Sequence, residues 1–307
     1  MKSVALAFTL AACALTSAAS LASFDTPPVS APAKPTAADA VPKVAALERV
    51  AVVGASLSAG FRVDGGRDPF APSKIQLANV IEASLHARHE PVRNHANPGF
   101  FMDPKGSGQA AMEALREEPP TAIVALDYLF WFGYGAKKEE ERLPQVEAAL
   151  KDLGTFTCPI LLGDLPDMRS ATQVKRPMLR PSMVPTAETL AKLNDAVRTF
   201  AKEHKNVIVV PLADVTAKLQ SDAEFSVRDN HWAKGSIDAL MQADRLHPTL
   251  EGTCAVWIVA VDAWTTAQKD VPVKAFECDV PKLVAAVQAA AKKPAEVAPV
   301  PAGGSGK

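Results

Sequence analysis

Three side chains, one near the start of the chain and two near its end, carry the groups that acyl-transfer chemistry needs. Ser56 stands two residues after Gly54, just past the run Val50-Ala51-Val52-Val53. Asp244 and His247 are three residues apart in Ala243-Asp244-Arg245-Leu246-His247-Pro248. A serine hydroxyl is a poor nucleophile until a base takes its proton, and an imidazole base is held in the right tautomer by a carboxylate. A separation of three lets one turn of chain set the carboxylate against the imidazole. Gly54, Ala55, Ser58, Ala59 and Gly60 allow a tight turn and keep bulk away from the Ser56 hydroxyl. The spacing differs from the Gly-x-Ser-x-Gly nucleophile elbow, because position 58 is serine. Taken alone, the segment also reads as an ordinary strand-to-loop turn.

The elements that position these groups alternate in type. Val50 to Val53 is a β-branched, apolar run of strand length. Further strands are expected near Pro91 to Asn94, over Thr121 to Leu126, over Cys158 to Leu162 and over Val207 to Pro211. Helical spacing covers Ile75 to Arg88, Gly108 to Arg116, Lys138 to Leu153, Thr186 to His204, Asp214 to Leu219 and the apolar run Thr249 to Ala267. Residues 222–246 read as a loop or broken helix. Pro248 suits the first turn of the last helix, which places His247 at a loop–helix junction. Strands alternating with helices predict an α/β fold with a mostly parallel five-stranded sheet covered on both faces. In such sheets ligands bind at the carboxyl ends of the strands, where Ser56 is delivered.

With these residues in view, the chain resembles the SGNH (GDSL) hydrolases, a family of esterases and lipases. The resemblance rests on Gly54-Ala55-Ser56-Leu57 after the first strand and Asp244-Arg245-Leu246-His247-Pro248 before the last helix, and it spans roughly residues 46–270. It implies a three-layer α/β/α, flavodoxin-like fold, with Ser56 as nucleophile, His247 as base and Asp244 as its orienting partner. Asn94-His95-Ala96-Asn97-Pro98-Gly99-Phe100 is similar to the family's second block, which implies that the Gly99 N–H joins the Ser56 N–H in binding an oxyanion. Two positions depart from the pattern. Ala55 replaces the usual aspartate, and Asp127 falls where an asparagine side chain is the third oxyanion donor. An ionised carboxylate only accepts hydrogen bonds and repels an oxyanion. Asp127 is therefore either protonated by burial, or replaced in that role by Asn97, or the mark of a weak hole. It also reads as a plain structural cap.

Composition excludes other classes. The 307 residues are 48% hydrophobic and 22% charged with a net charge of -1, so no basic field argues for nucleic acid. Met1-Lys2, the apolar Val4 to Leu15 and the small residues that follow read as a secretory signal peptide over residues 1–22. Leu10-Ala11-Ala12-Cys13 matches a lipoprotein box, which makes lipidation at Cys13 the alternative. A proline-rich linker over 23–45, one domain over 46–292 and a tail over 293–307 complete the expected organisation. The expected location is periplasmic or extracellular.

Other features admit two readings each. Phe130, Trp131, Phe132 and Tyr134 form either an apolar wall for substrate or part of the core. Gly163 to Pro185, with four prolines, reads as a lid or specificity loop. Cys254 and Cys278 are candidates for a disulfide, with Cys254 equally readable as helix core. A metal site from Asp229, His231, Asp244 and His247 fits no familiar spacing, and no cofactor is implied. The expected substrate is an ester of a small molecule, a lipid or a glycan. The same residues also serve acyl transfer to a sugar, and the two departures also fit a binding module that has lost turnover.

Overall fold

The computed structural model describes residues 43–66 and 73–292. The expected signal peptide, most of the linker and the tail lie outside the described residues. The last linker residues belong to the fold, since Val44 is buried in the core and Ala45–Leu47 form a 3-10 turn.

Five parallel strands make the central sheet. They are β1 (Val50–Val52), β2 (Arg93–Asn94), β3 (Ala122–Ala125), β4 (Ile160–Gly163) and β5 (Val207–Val210). Their order across the sheet is β2-β1-β3-β4-β5. Ala51 pairs with Arg93 on one side of β1 and with Ile123 on the other. The chain thus winds in opposite directions from β1, and this leaves a crevice beyond the carboxyl ends of β1 and β3. Ser56 follows the first of these strands and Asp127 the second.

Strands covered on both faces read as continuous apolar runs, because each alternate side chain enters a different core. Val50, Val52, Val124 and Leu161 face α1 (Leu77–Ser84), α8 (Leu250–Ala267) and α9 (Val280–Lys292). Ala51, Val53, Ile123 and Leu162 face α2 (Pro104–Glu117), α4 (Glu139–Leu153) and α5 (Ala187–Glu203). This is the expected three-layer arrangement. The short α3 (Phe130–Gly133) and α6 (Leu212–Gln220) follow β3 and β5 directly.

Local chemistry sets the helix starts. Thr186 caps α5 by accepting the Thr189 N–H, and Leu190, Leu193, Val197 and Phe200 form its buried stripe. Asp103 caps α2 by accepting the Gly106 N–H, with Pro104 at the first position. This helix begins four residues before the expected Gly108, because Gly106 and Gly108 hide its start from propensity. α8 is apolar on nearly every side and buries Trp257 and Trp264 fully.

Three expectations need correction. The stretch 222–246 is neither loop nor broken helix throughout, since Phe225–Val227 (β6) and Asn230–Trp232 (β7) pair as an antiparallel hairpin and Ile237–Leu240 is a helical turn (α7). Pro248 lies outside α8, whose N-cap is Thr249, accepting the Gly252 N–H. Cys254 and Cys278 are both free thiols, as is Cys158. Cys254 points into the α8 core, while the Cys278 thiol donates to the Phe276 carbonyl.

Gly252 lets the first turn of α8 pack directly on α7, since a Cβ there would overlap the Leu240 carbonyl oxygen. Gly252→Ala is expected to lower stability by about 2 kcal/mol through overpacking. Urea denaturation measures this, and an unchanged midpoint would contradict the packing described.

Candidate active site

The turn after β1 is wound on its own backbone. The Ala55 carbonyl accepts the Ala59 N–H, and the Ser56 carbonyl accepts the Phe61 N–H. Ser56 therefore sits in a turn. A second anchor comes from β3. Asp127 Oδ2 accepts the N–H of Leu57 at 2.8 Å and of Ser58 at 3.3 Å, and Asp127 Oδ1 accepts the Ser58 hydroxyl at 2.6 Å. Gly54 makes room for this carboxyl, because a Cβ there would overlap Asp127 Oδ1 and Ser58 Oγ.

The segment after α7 folds back as a narrow turn. The Gln242 N–H donates to the His247 carbonyl, and the Thr249 N–H donates to the Leu240 carbonyl. Arg245 takes the left-handed backbone conformation (φ 56°) that closes the turn. Asp244 and His247 then face each other. The Gln242 side chain ties this turn to the first one, donating to the Phe61 and Pro248 carbonyls at 2.7 and 2.8 Å. The Phe61 ring stacks on the His247 ring with centroids 4.1 Å apart.

The result is a continuous hydrogen-bonded chain. His247 Nε2 lies 2.9 Å from Ser56 Oγ, and His247 Nδ1 lies 2.8 Å from Asp244 Oδ2. Asp244 Oδ1 accepts the N–H of Leu246 and of His247, each at 3.0 Å. His247 is buried, at 3% exposure, and Ser56 is half-buried. Burial alone would raise the Asp244 pKa. The hydrogen bond and charge of His247, with the two N–H donors, outweigh it and hold the carboxyl below its usual range. For Asp127 the balance goes the other way. Burial pushes its carboxyl up, and the Ser58 hydroxyl with the N–H groups of Ala55, Leu57 and Ser58 only partly offsets this.

No known protein family matches the sequence, and no curated protein matches it. Among solved structures, the chain is similar to TesA at 18% identity over 73% of this chain and 99% of that one, with a TM-score of 0.42. It is similar to Axe2, an acetylxylan esterase from Geobacillus stearothermophilus, at 15% identity over 75% and 96%, with a TM-score of 0.42. It is also similar to a GDSL-like lipase from Bacteroides thetaiotaomicron, at 15% identity over 76% and 93%, with a TM-score of 0.41.

The three remaining residues expected at an oxyanion site are engaged elsewhere. The Gly99 N–H donates to Asn97 Oδ1 at 2.8 Å, and Asn97 Nδ2 donates to Ser107 Oγ at 3.0 Å. The Asn97 N–H reaches the Gly54 carbonyl, which fastens this loop to the serine turn. Asp127 is occupied by the Leu57 and Ser58 N–H groups and the Ser58 hydroxyl. The Ser56 N–H has no acceptor among the described residues.

Beside Ser56 and His247 lies a cavity of about 60 Å³ walled by Leu57, Leu126, Leu129, Phe130, Met168 and Leu246, among others. The aromatic cluster thus divides. Phe130 lines this cavity, while Trp131, Phe132 and Tyr134 are buried in the α2–α4–α5 core. The long segment after β4 is one wall of the cavity rather than a loose lid. Leu165, Met168, Ala171 and Leu179 are buried. The Asn194 side chain bonds both the N–H and the carbonyl of Leu165, and Tyr134 Oη bridges Pro166 and Met168. His95 and His231 make no contact with Ser56, and His231 pairs with Ser226 on the β6–β7 hairpin. Among the described residues no group of three or more His, Cys, Asp and Glu has metal-ligand geometry. Among them, too, no helix is long and apolar enough to cross a membrane.

Ser58 enters the sequence reading of the site only as a small turn residue, and Phe61 and Gln242 are absent from it. The doubled serine of Ala55-Ser56-Leu57-Ser58 is a faint signal for the first. Nothing in the sequence signals the other two, whose roles come from contacts across the fold.

Asp127→Ala leaves buried donors at Leu57 and Ser58 without an acceptor and is expected to cost about 3 kcal/mol. Asp127→Asn keeps one acceptor oxygen and should cost less. Chemical denaturation of both variants checks the order. The lowered Asp244 value has a pH signature. Its stabilisation is complete above the ordinary value of 3.8 and is lost as pH falls through the lowered one. The stability difference between the native protein and Asp244→Asn should therefore shrink on acidification from pH 7 to about pH 2. A difference that grows in acid would contradict the assignment.

Proposed function

We propose that the chain is an exported serine hydrolase of the SGNH type that cleaves carboxylic esters through an acyl-enzyme. The observation that carries this reading is the chain of contacts from Ser56 Oγ to His247 Nε2 and from His247 Nδ1 to Asp244. Ser56 Oγ attacks the ester carbonyl carbon while its proton passes to His247 Nε2. The tetrahedral intermediate collapses, and His247 hands that proton to the departing alcohol oxygen. Water then attacks the acyl-serine by the same route in reverse order. Asp244 holds the His247 tautomer and stabilises the imidazolium. No cofactor takes part in this scheme.

The Ser56 N–H is the donor free to meet the oxyanion. The Gly99 N–H joins it once Asn97 Oδ1 turns away. An oxyanion-hole donor is worth roughly 3–4 kcal/mol of barrier, so these few donors favour a slow enzyme over a fast one. Export rests on the sequence of residues 1–22 and places the reaction in the periplasm or outside the cell.

The engagement of Asp127, Asn97 and Gly99 favours a second reading, a module that binds a glycan or acyl group with little turnover. Kinetics on p-nitrophenyl acetate separate the two. The hydrolase reading expects turnover that falls by roughly 10⁴-fold or more in Ser56→Ala and in His247→Ala, with circular dichroism unchanged. Equal rates in the native protein and Ser56→Ala would sink it.

A further inference from the structure

The cavity beside Ser56 deepens this reading, on which the inference rests, because its size and lining limit the group that the serine can carry. Its volume is about 60 Å³. A single water needs roughly 10–15 Å³ of occupied volume, so this is a small cavity that suits a short chain. Its wall is set by hydrogen bonds rather than by loose packing. Leu165 is held at both backbone groups by Asn194, itself buried, and the Pro166–Met168 turn is bridged by the Tyr134 hydroxyl. The Gly163 floor has no slack, since even a Cβ there would overlap the Leu126 carbonyl. Moving the backbone of this wall therefore requires breaking several buried hydrogen bonds.

The lining is also selective by charge. Among the described residues no lysine or arginine borders the cavity. Besides Ser56 and His247, the ionisable or hydroxyl side chains on it are Asp127 and Asp164. Asp127 already accepts the Leu57 and Ser58 N–H groups and the Ser58 hydroxyl, and Asp164 accepts the Ala213 N–H at the start of α6. Among these described side chains a carboxylate carried on the acyl chain would meet acceptors and apolar walls with no lysine or arginine to pair with, and burying an unpaired charge is strongly unfavourable.

We infer that this cavity is the acyl site and that it selects short, uncharged acyl groups, from acetyl to about butyryl. The alcohol side of the ester is left to the open face of the serine and is not restricted by these walls.

The test is a series of p-nitrophenyl esters, from acetate through butyrate and hexanoate to octanoate, with the hemisuccinate as the charged counterpart of butyrate. Each is measured on the full chain and on Ser56→Ala. The expected result is a kcat/KM that is highest at acetate or butyrate. It should fall at least tenfold by octanoate and at least tenfold between butyrate and hemisuccinate. Met168→Ala should move the optimum to hexanoate or longer, and Leu246→Ala serves as the second variant if the first does not fold. A Ser56-dependent kcat/KM that rises through octanoate, or that is equal for butyrate and hemisuccinate, overturns the acyl-site inference while the hydrolase reading stands. Cleavage of none of the esters, or cleavage that survives in Ser56→Ala, overturns the hydrolase reading and the inference with it.

Discussion

The carboxyl group of Asp127 joins the ends of β1 and β3 at the point where Ser56 is presented. Its two oxygens accept the Leu57 and Ser58 N–H groups and the Ser58 hydroxyl in a buried setting. Besides that clamp, the turn from Gly54 to Phe61 is held by its own short backbone bonds and by single ties from Leu77, Asn97 and Gln242. Placement of the serine against His247, whose ring is supplied from 191 residues further along the chain, depends on this turn. The clamp explains Gly54 and Ser58 together. The glycine admits the carboxyl, and the second serine feeds it a donor. It also explains why a carboxyl group is tolerated beside the proposed oxyanion position. The group faces the turn that it holds, and burial favours its neutral form.

The partner turn is fixed with equal care. Gln242 bridges the two turns, Phe61 lies flat on the His247 ring, and Asp244 takes two backbone N–H groups in addition to the imidazole. An imidazole held this way keeps one tautomer and one direction, which is what the proposed proton transfer to and from Ser56 requires. The arrangement is costly where it is acidic. Asp127 and Asp164 both have carboxyls pushed up by burial, and such groups favour the folded state only while they are protonated. The α/β scaffold absorbs that cost through two full cores and an α8 that buries two tryptophans.

Much of this was legible in the sequence. The strands β1, β3, β4 and β5 are uninterrupted apolar runs, and their periodicity contrasts with the amphipathic α5, so the layer order follows from pattern alone. Ser56, Asp244 and His247 stand out because their residue types are scarce in such positions and their spacing has a chemical reason. The β6–β7 hairpin was not legible, since its three-residue strands are stabilised by pairing and by packing on α8 rather than by propensity. The α9 helix was hidden for a similar reason, as its Ala-rich sequence gains its order from docking on α1 and α8. Asp127 was recognisable as a departure but not as a clamp, because its donors lie about 70 residues away in sequence.

The central claim is that Ser56 is an activated nucleophile, and covalent labelling of the purified protein with a fluorophosphonate tests it most directly. The account predicts a single adduct, mapped by peptide mass to Ser56, that is lost in His247→Ala while the fold persists. A folded protein that takes no label, or that is labelled on Ser56 equally well without His247, would contradict it.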